Sequence, residues 1–420
     1  MVTRQALNSL LDLARWYPVV VVTGPRQAGK TTLVRAAFPA LPYVSLEDPD
    51  VRETASTDPR FFLAQFPLGA VLDEAQHAPA LFAYLQGLVD EDRAQAGAVQ
   101  PARCWVLTGS QHFGLLSSVT QSLAGRAGLL HLLPLSLGEL QTAGHALARA
   151  SLQNFLWSGL YPGPVSTGMP PAVWFADYVA TYVERDVRQL VNVRDLASFR
   201  TVLRLCAARC SQALNLSALA VDAGVAVNTV KGWISVLEAS YILFTLPQHH
   251  INLGKRLVKA PKLYFYDTGL AAWLAGLRSG AELAQSSLRG PLFESWAVAE
   301  AVKARAHLRR EPSLHYWRDQ SGTEVDLLLD AGSHLSPVEF KAGQTVASDW
   351  SVNLLRYAGL ANNRSADGVG SVPITAPLLV YGGDAAHRRA GIECIAWCAW
   401  PDRVAALLAP APPQGMGHAE

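Results

Sequence analysis

Charge is scarce in this chain. Only 16% of its 420 residues are charged, and 35 basic side chains nearly cancel 34 acidic ones, leaving a formal net charge of +1. Proteins that grip nucleic acid over a broad surface carry a marked basic excess, so any DNA contact here must be local. Long apolar runs are missing too. Half of the residues are hydrophobic, yet no run approaches the roughly 18 residues of a membrane span. The N-terminal stretch MVTRQALNSLLDLARWYP lacks the apolar block and small-residue cleavage site of a signal peptide, so a cytoplasmic location is expected. Cysteine is rare: five, an odd number and widely scattered, which suits a reducing compartment. Cys206 and Cys210, like Cys394 and Cys398, are four apart and would share a helix face. Zinc pairs are usually tighter and these two pairs lie far apart, so buried small apolar residues are the simpler reading.

What the chain does have is length and pattern, enough for two or three domains. Residues 1–145 alternate short β-branched strands with helical stretches, which predicts an α/β fold with a parallel sheet. The strand candidates are Val19–Thr23, Tyr43–Leu46, Ala70–Leu72, Trp105–Thr108 and Leu129–Leu133. Residues 146–205 read as a helical lid or linker, broken at GLYPGPVSTGMPP (Gly159–Pro171) by its Pro and Gly. A compact helical module is expected over 206–270, a helix followed by strands over 285–402, and a disordered tail over 403–420.

GPRQAGKT (Gly24–Thr31) fits G-x-x-x-x-G-K-S/T, between the apolar strand VVVVT and the helix-like TTLVRAAF. In such a loop, backbone N–H groups wrap phosphates at a helix N-terminus. The nucleotide-binding set is therefore Gly24, Pro25, Arg26, Gln27, Ala28, Gly29, Lys30, Thr31 and Thr32. Lys30 would reach the β- and γ-phosphates of ATP, and the Thr31 hydroxyl would bind Mg²⁺. AVLDEAQ (Ala70–Gln76) is a strand ending in Asp73, expected in the Mg²⁺ shell, and Glu74, expected to polarise the attacking water. WVLTGSQ (Trp105–Gln111) offers Ser110 or Gln111 as a γ-phosphate sensor. This order of motifs resembles the AAA+ ATPases over the first third of the chain. The resemblance makes Arg126, in SLAGRAG, a candidate arginine finger acting on a neighbouring subunit in a homo-oligomeric ring; a structural arginine is the other reading. Arg185 is a weaker candidate for a lid sensor, against a surface ion pair with Asp186. Few residues precede the first strand, so a reduced adenine-contacting segment is expected.

Leu216–Pro247 reads as a helix–turn–helix. Leu219 and Ala220 would pack the first helix, Gly224 would make the turn, and Val230, Ile234 and Leu237 would bury the second. With the strand YILFTL behind it, this segment resembles a winged helix. Asn228, Lys231 and Ser235 would face a DNA groove. Lys255, Arg256, Lys259 and Lys262 would form a basic wing for phosphates; docking onto a partner protein is the alternative.

Near the C-terminus, EVDLLLD is followed by VEFKAG, and the helix FESWAVAEA precedes both. Glu294 on that helix, Asp326, then Glu339 and Lys341 in one strand resemble the PD-(D/E)xK restriction-endonuclease-like fold. Period two puts Glu339 and Lys341 on one face. Asp326 and Glu339 would clamp Mg²⁺, with Lys341 adding a fixed positive charge; an ordinary hairpin ion pair is the plainer reading. Nearly the whole length resembles a family of prokaryotic AAA+-type ATPases with a winged helix and a nuclease-like C-terminal domain of unknown function. That implies ATP hydrolysis and action on DNA, or a nucleotide-controlled switch whose C-terminal domains bind proteins.

Overall fold

The structure is a computed structural model that describes residues 2–96, 103–109, 122–183, 195–249, 260–309, 313–332, 334–366 and 373–409. The N-terminal unit runs α1 (Ala6–Trp16), β1 (Val19–Thr23), α2 (Lys30–Ala37), β2 (Tyr43–Ser45), α3 (Pro49–Thr57), α4 (Pro59–Ala64), β3 (Val71–Asp73), α5 (Ala80–Ala96), β4 (Trp105–Gly109), β5 (Ala127–His131) and α6 (Leu137–Thr142). Its described strands form a parallel sheet in the order β2-β3-β4-β1-β5. β1 is buried along its whole length, as a strand covered on both faces must be. Its alternation sorts side chains between two cores. Val19 and Val21 pack with Phe62, Phe82 and Leu85 of α4 and α5. Val20 and Val22 pack with Leu10 and Leu13 of α1 and Leu33 of α2.

The middle of the chain holds α7 (Leu152–Ser158), α8 (Pro162–Thr167), α9 (Pro171–Tyr178), α10 (Leu196–Ala208), α11 (Leu216–Ala223), α12 (Val227–Ala239), β6 (Leu243–Leu246), β7 (Lys262–Phe265), α13 (Thr268–Leu274) and α14 (Gly280–Gln285). The expected break over Gly159–Pro171 contains a helix of its own. Pro162 starts α8 at its first turn and Gly168, at φ 70°, ends it, each where its backbone limits favour it. In α11 and α12 the expected faces are buried: Leu219, Ala220, Val230, Ile234 and Leu237. Gly224 caps α11 in the left-handed region. β6 and β7 pair antiparallel, and Ala213 bridges to Lys262 on the other side of β7.

The C-terminal unit runs α15 (Arg289–His307), β8 (Leu314–Arg318), β9 (Glu324–Asp330), β10 (Leu335–Lys341), α16 (Val352–Ala366), β11 (Leu378–Tyr381), β12 (His387–Arg389), β13 (Ile392–Ala396) and α17 (Trp400–Leu408). The sheet order is β12-β13-β11-β10-β9-β8, antiparallel through β8, β9 and β10 and parallel from β10 to β11 and β13. The expected disordered tail is corrected here: residues 403–408 belong to α17, because Val404 and Leu408 are buried in the core. One apolar cluster runs from Leu135 to Leu408, so the middle and C-terminal parts share a core. Cys206 and Cys210 lie inside it, and all five cysteines are free. Among the described residues no helix is long and apolar enough to cross a membrane.

The helix α15 is buried on nearly every side, so its polar side chains must find partners within the protein. Lys303 Nζ donates to Leu135 O at 2.8 Å, Glu300 accepts from Leu137 N at 3.0 Å, and Trp400 Nε1 donates to Ala297 O at 2.8 Å. His307 stands 3.1 Å from Gln5 Oε1 through Nδ1, while its buried Nε2 has no hydrogen-bond partner among the described residues. Burial pulls the His307 pKa down to about 4, against the upward pull of Glu139. Unfolded histidine titrates near ~6.5. Between these values the unfolded chain binds the proton and the folded protein does not, so stability is lost as pH falls below ~6.5. The stability advantage of the wild type over His307→Asn should therefore shrink by about 2 kcal/mol between neutral pH and about pH 5. Thermal or urea unfolding of both proteins measures it, and a pH-independent difference would refute a neutral buried imidazole.

Candidate functional site: a phosphate loop and a carboxylate cluster

β1 leads directly into the loop that begins at Gly24. Gly24 has φ 150°, and a Cβ there would lie 2.0 Å from Leu132 O, so no other residue passes β5 so closely. Gln27 and Gly29 also take positive φ, and α2 starts at Lys30 with its N-terminus toward the loop. Lys30 is buried, and its ammonium donates to Gly24 O at 3.0 Å and Pro25 O at 2.9 Å. Arg4 braces the loop from outside: Nη1 donates to Ala28 O at 2.6 Å, Nη2 to Leu133 O at 2.6 Å, and Nε pairs with Glu139 at 2.9 Å. Arg26 lies over the Tyr182 ring, and Gln27 donates to the Tyr182 hydroxyl. Pro25 and Thr32 lie in the same loop and first helical turn.

Asp73 closes the site from β3. Thr31 Oγ1 donates to its Oδ2 at 2.8 Å, Tyr43 OH to the same oxygen at 2.6 Å, and Thr108 to Oδ1. β3 lies between β2 and β4, so the parallel register brings Tyr43 and Thr108 to either side of it. Burial and the Asp73 carboxylate push the Tyr43 phenol well above its ordinary value, so it stays a donor. Glu74 follows in the left-handed region, φ 53°, and accepts from Gln76 Nε2; such a conformation in a non-glycine residue is costly and clusters at functional sites. Thr23, His131 and Tyr241 meet beneath the loop. The Tyr241 hydroxyl is 2.9 Å from Thr23 Oγ1 and 2.8 Å from His131 Nδ1.

Ser110, Gln111, Arg185 and Asp186 lie outside the described residues, as do Lys255, Arg256 and Lys259. Arg126 makes a two-point ion pair with Asp90 of its own chain, at 2.7 and 2.9 Å. Sequence reasoning missed Arg4, Tyr43, Thr108 and Tyr241. Their roles depend on strand register and on contacts across more than a hundred residues for Arg4 and Tyr241, which no local motif encodes.

Glu294, Asp326, Glu339 and Lys341, the positions that the sequence reading compares with a nuclease, sit around one end of β9 and β10. Phe340 N donates to Asp326 Oδ2 at 2.9 Å, and Lys341 Nζ pairs with Glu339 Oε1 at 2.6 Å. Tyr264 OH donates to Glu294 Oε1 at 2.7 Å. Burial, then the nearby Asp326 carboxylate, raises the pKa of both Glu294 and Glu339. Lys262 requires a correction. Expected on a solvated wing, it is 4% exposed and pairs with Glu294 at 2.8 Å and with Glu324, 3.8 Å from Asp326. Burial pulls its pKa down, but the three carboxylates outweigh that and hold the ammonium above its ordinary value. Among the described residues no three His, Cys, Asp or Glu side chains stand at metal-holding spacing. Asn228, Lys231 and Ser235 are exposed on α12 as expected.

Comparison with known proteins divides the chain the same way. A family described as AAA domain matches residues 17–141, and two domains of unknown function, DUF8612 and DUF4143, match 149–281 and 289–399. Among solved structures, the Walker-type ATPase of Pyrococcus abyssi is 15% identical, with a TM-score of 0.41 over 65% of this chain and 96% of that one. A RuvB variant of Thermotoga maritima is 17% identical, with a TM-score of 0.29 over 58% of this chain and 86% of that one. Uncharacterized proteins of Mycobacterium tuberculosis and Mycobacterium bovis are each 31% identical over 330 residues, 78% of this chain and 71% of theirs. The chain belongs to the family of these two mycobacterial proteins, with an AAA domain at its N-terminus.

Proposed function

We propose that this protein is an AAA+-type ATPase that binds and hydrolyses ATP with Mg²⁺ and acts on DNA through its middle and C-terminal parts. The observation that carries the reading is the 2.8 Å bond from Thr31 to Asp73, which joins the two motifs such an ATPase needs side by side. The residues fit the nucleotide: a hydroxyl and a carboxylate suited to Mg²⁺, and a loop closed around the Lys30 ammonium. Bound Mg·ATP supplies a γ-phosphoryl group open to attack by water. Thr31 and Asp73 hold the metal side of the site, and Lys30 exchanges the Gly24 and Pro25 carbonyls for phosphate oxygens. Glu74 takes the proton of the attacking water, and Ser110 senses the γ-phosphate. Arg126 serves as a finger in a ring only by leaving Asp90.

Support for DNA comes from α11 and α12, followed by the β6–β7 pair with Ala213 bridging to β7, an order of elements that matches a winged helix. Asn228, Lys231 and Ser235 are its exposed reading residues. Glu294, Asp326, Glu339 and Lys341 make the C-terminal unit nuclease-like, with Asp326 and Glu339 as the metal ligands. A second reading, a nucleotide-controlled switch that binds proteins, is favoured by Lys262. Its burial takes one basic residue off the wing and ties β7 to the C-terminal unit.

Lys30→Ala should lose nucleotide binding in a fluorescent-ATP titration; wild-type affinity would remove the phosphate-loop assignment. Glu74→Gln should retain ATP while turnover drops by about a hundredfold or more, measured as phosphate release; unchanged turnover would move the base elsewhere. Duplex DNA should raise the wild-type ATPase rate. A rate indifferent to DNA, with tight nucleotide retention, would favour the switch.

A further inference from the structure

Arg4 reaches the phosphate loop from ahead of α1, and its whole guanidinium is committed there. It is 8% exposed. Nη1 donates to Ala28 O and Nη2 to Leu133 O, each at 2.6 Å, and Nε pairs with Glu139 Oε1 at 2.9 Å. Glu139 is itself held: its Oε2 accepts from Ser136 N at 2.9 Å and its Oε1 from Gln5 N at 2.8 Å. A guanidinium is a rigid planar fork. With Leu133 O and Glu139 fixed, its third contact fixes where the Ala28 carbonyl points.

The direction of that carbonyl matters because the peptide that follows is trans and planar. Among the described residues there is no cis peptide bond, and in a trans peptide the C=O and the next N–H point in opposite directions. Ala28 O is turned outward to Arg4, so Gly29 N–H is turned the other way, into the loop that closes around the Lys30 ammonium. Backbone N–H groups aimed this way are what such a loop offers a phosphate. The backbone has another choice. Gly29 has φ 88° and Gln27, on the other side of Ala28, has φ 59°. Glycine tolerates either sign of φ, so the peptide plane between Ala28 and Gly29 rotates with little steric resistance. A rotated plane would aim a carbonyl dipole at the phosphates and repel them. It would also leave a buried guanidinium nitrogen without its acceptor, which costs more than losing an exposed contact. Gln27 carries strain that persists only where neighbours hold it. Those neighbours are Arg4 at Ala28 O and the Tyr182 hydroxyl, 3.0 Å from Gln27 Nε2.

We propose that Arg4 is a positioning residue for the phosphate chain of the nucleotide: bound to Ala28 O, it keeps the Gly29 N–H turned toward the phosphates. The proposal rests on the phosphate-loop reading of Gly24–Thr31 and adds a determinant from outside that motif. Arg4 touches no substrate atom and acts through the backbone. What it selects is the phosphate chain rather than the base, so its loss weakens ATP, ADP and bare tripolyphosphate alike. A lysine keeps the charge beside Glu139 but cannot span three acceptors, so it does not replace the fork.

The test is binding of fluorescent ATP to the full-length protein, with unlabelled ADP and tripolyphosphate as competitors. Wild type is compared with Arg4→Lys, Glu139→Gln, the double variant Arg4→Met/Glu139→Gln, and Lys30→Ala. The double variant removes the guanidinium without stranding a buried carboxylate. Arg4→Lys and the double variant should each weaken all three ligands by about tenfold or more. The ATP KM should rise by a similar factor, with kcat at saturation changed less than about threefold. Glu139→Gln, which keeps an acceptor for Nε, should bind within about threefold of wild type. If the double variant is folded by its melting curve and binds ATP as wild type does, Arg4 does not set the peptide. If Arg4→Lys matches wild type, charge alone suffices and the positioning argument fails. If both Arg4 variants unfold while Glu139→Gln binds normally, the guanidinium is structural and the proposal is likewise overturned. If Lys30→Ala binds as tightly as wild type, the phosphate-loop reading falls and takes the proposal with it. Loss of binding in Lys30→Ala without loss in the Arg4 variants removes the proposal alone.

Discussion

A helix buried on almost all sides has to bring partners for its own charges, and α15 imposes that constraint on every other unit of this protein. Glu294 at its start is met by Lys262 and Tyr264 of β7. The next residue, Ser295, bonds the backbone of Phe265. Glu300 and Lys303 bind the backbone at Leu137 and Leu135, just after β5. Arg305 donates to Asp330 O in the C-terminal sheet, and His307 faces Gln5 beside α1. These partners come from four separate stretches of sequence: β7, the segment around residues 135–137, the end of β9, and Gln5. Moving any unit off α15 would leave a buried polar group unpaired, which costs about 1–3 kcal/mol for a neutral group and more for a charge.

The same logic joins the two candidate sites. The segment between β5 and α6 is held on one side by Glu300 and Lys303 and on the other by Arg4. Arg4 also grips the phosphate loop at Ala28 O. Ser136 and Glu139 cap α6 reciprocally, and Glu139 gives Arg4 its counter-charge. A change of loop shape on nucleotide binding would therefore press on a guanidinium that is bonded to both Leu133 O and Glu139. Tyr241 gives a second link, from the end of α12 to Thr23 beneath the loop. These are chains of contacts; whether they carry a signal depends on each having two arrangements.

How much of this the sequence makes legible depends on how local each interaction is. The phosphate loop and Asp73 each sit inside a short run whose strand, turn and helix signals agree, and those runs fold as read. β1 spans Val19–Thr23 in both sequence and structure. The α12 face of Val230, Ile234 and Leu237 follows from period alone. What escapes is anything set by register or by a distant partner. Thr108 acts on Asp73 because β3 pairs with β4, and nothing in WVLTGSQ says which strand will be its neighbour. Arg126 reads as either an arginine finger or a structural arginine until α5 places Asp90 beside it. Lys262 reads as one more basic residue of a wing.

That last error has a physical cause worth following. In KLYF, period two puts Lys262 and Tyr264 on one face, and both reach the same oxygen of Glu294. A lysine and a phenol two apart on a strand, followed by a buried helix that carries an acid, is a pattern that the sequence contains. Composition argues for the solvated reading, since lysine is rarely buried unless paired. Here it is paired with two carboxylates and lies close to a third. Such a buried ionic knot adds little net stability, because desolvation offsets most of the Coulomb gain. Breaking it from one side is what costs. Its effect is thus to fix where β7 docks on α15 and β9: a shift by one residue along the strand would turn Lys262 and Tyr264 away from Glu294 and leave the carboxylates without their cation.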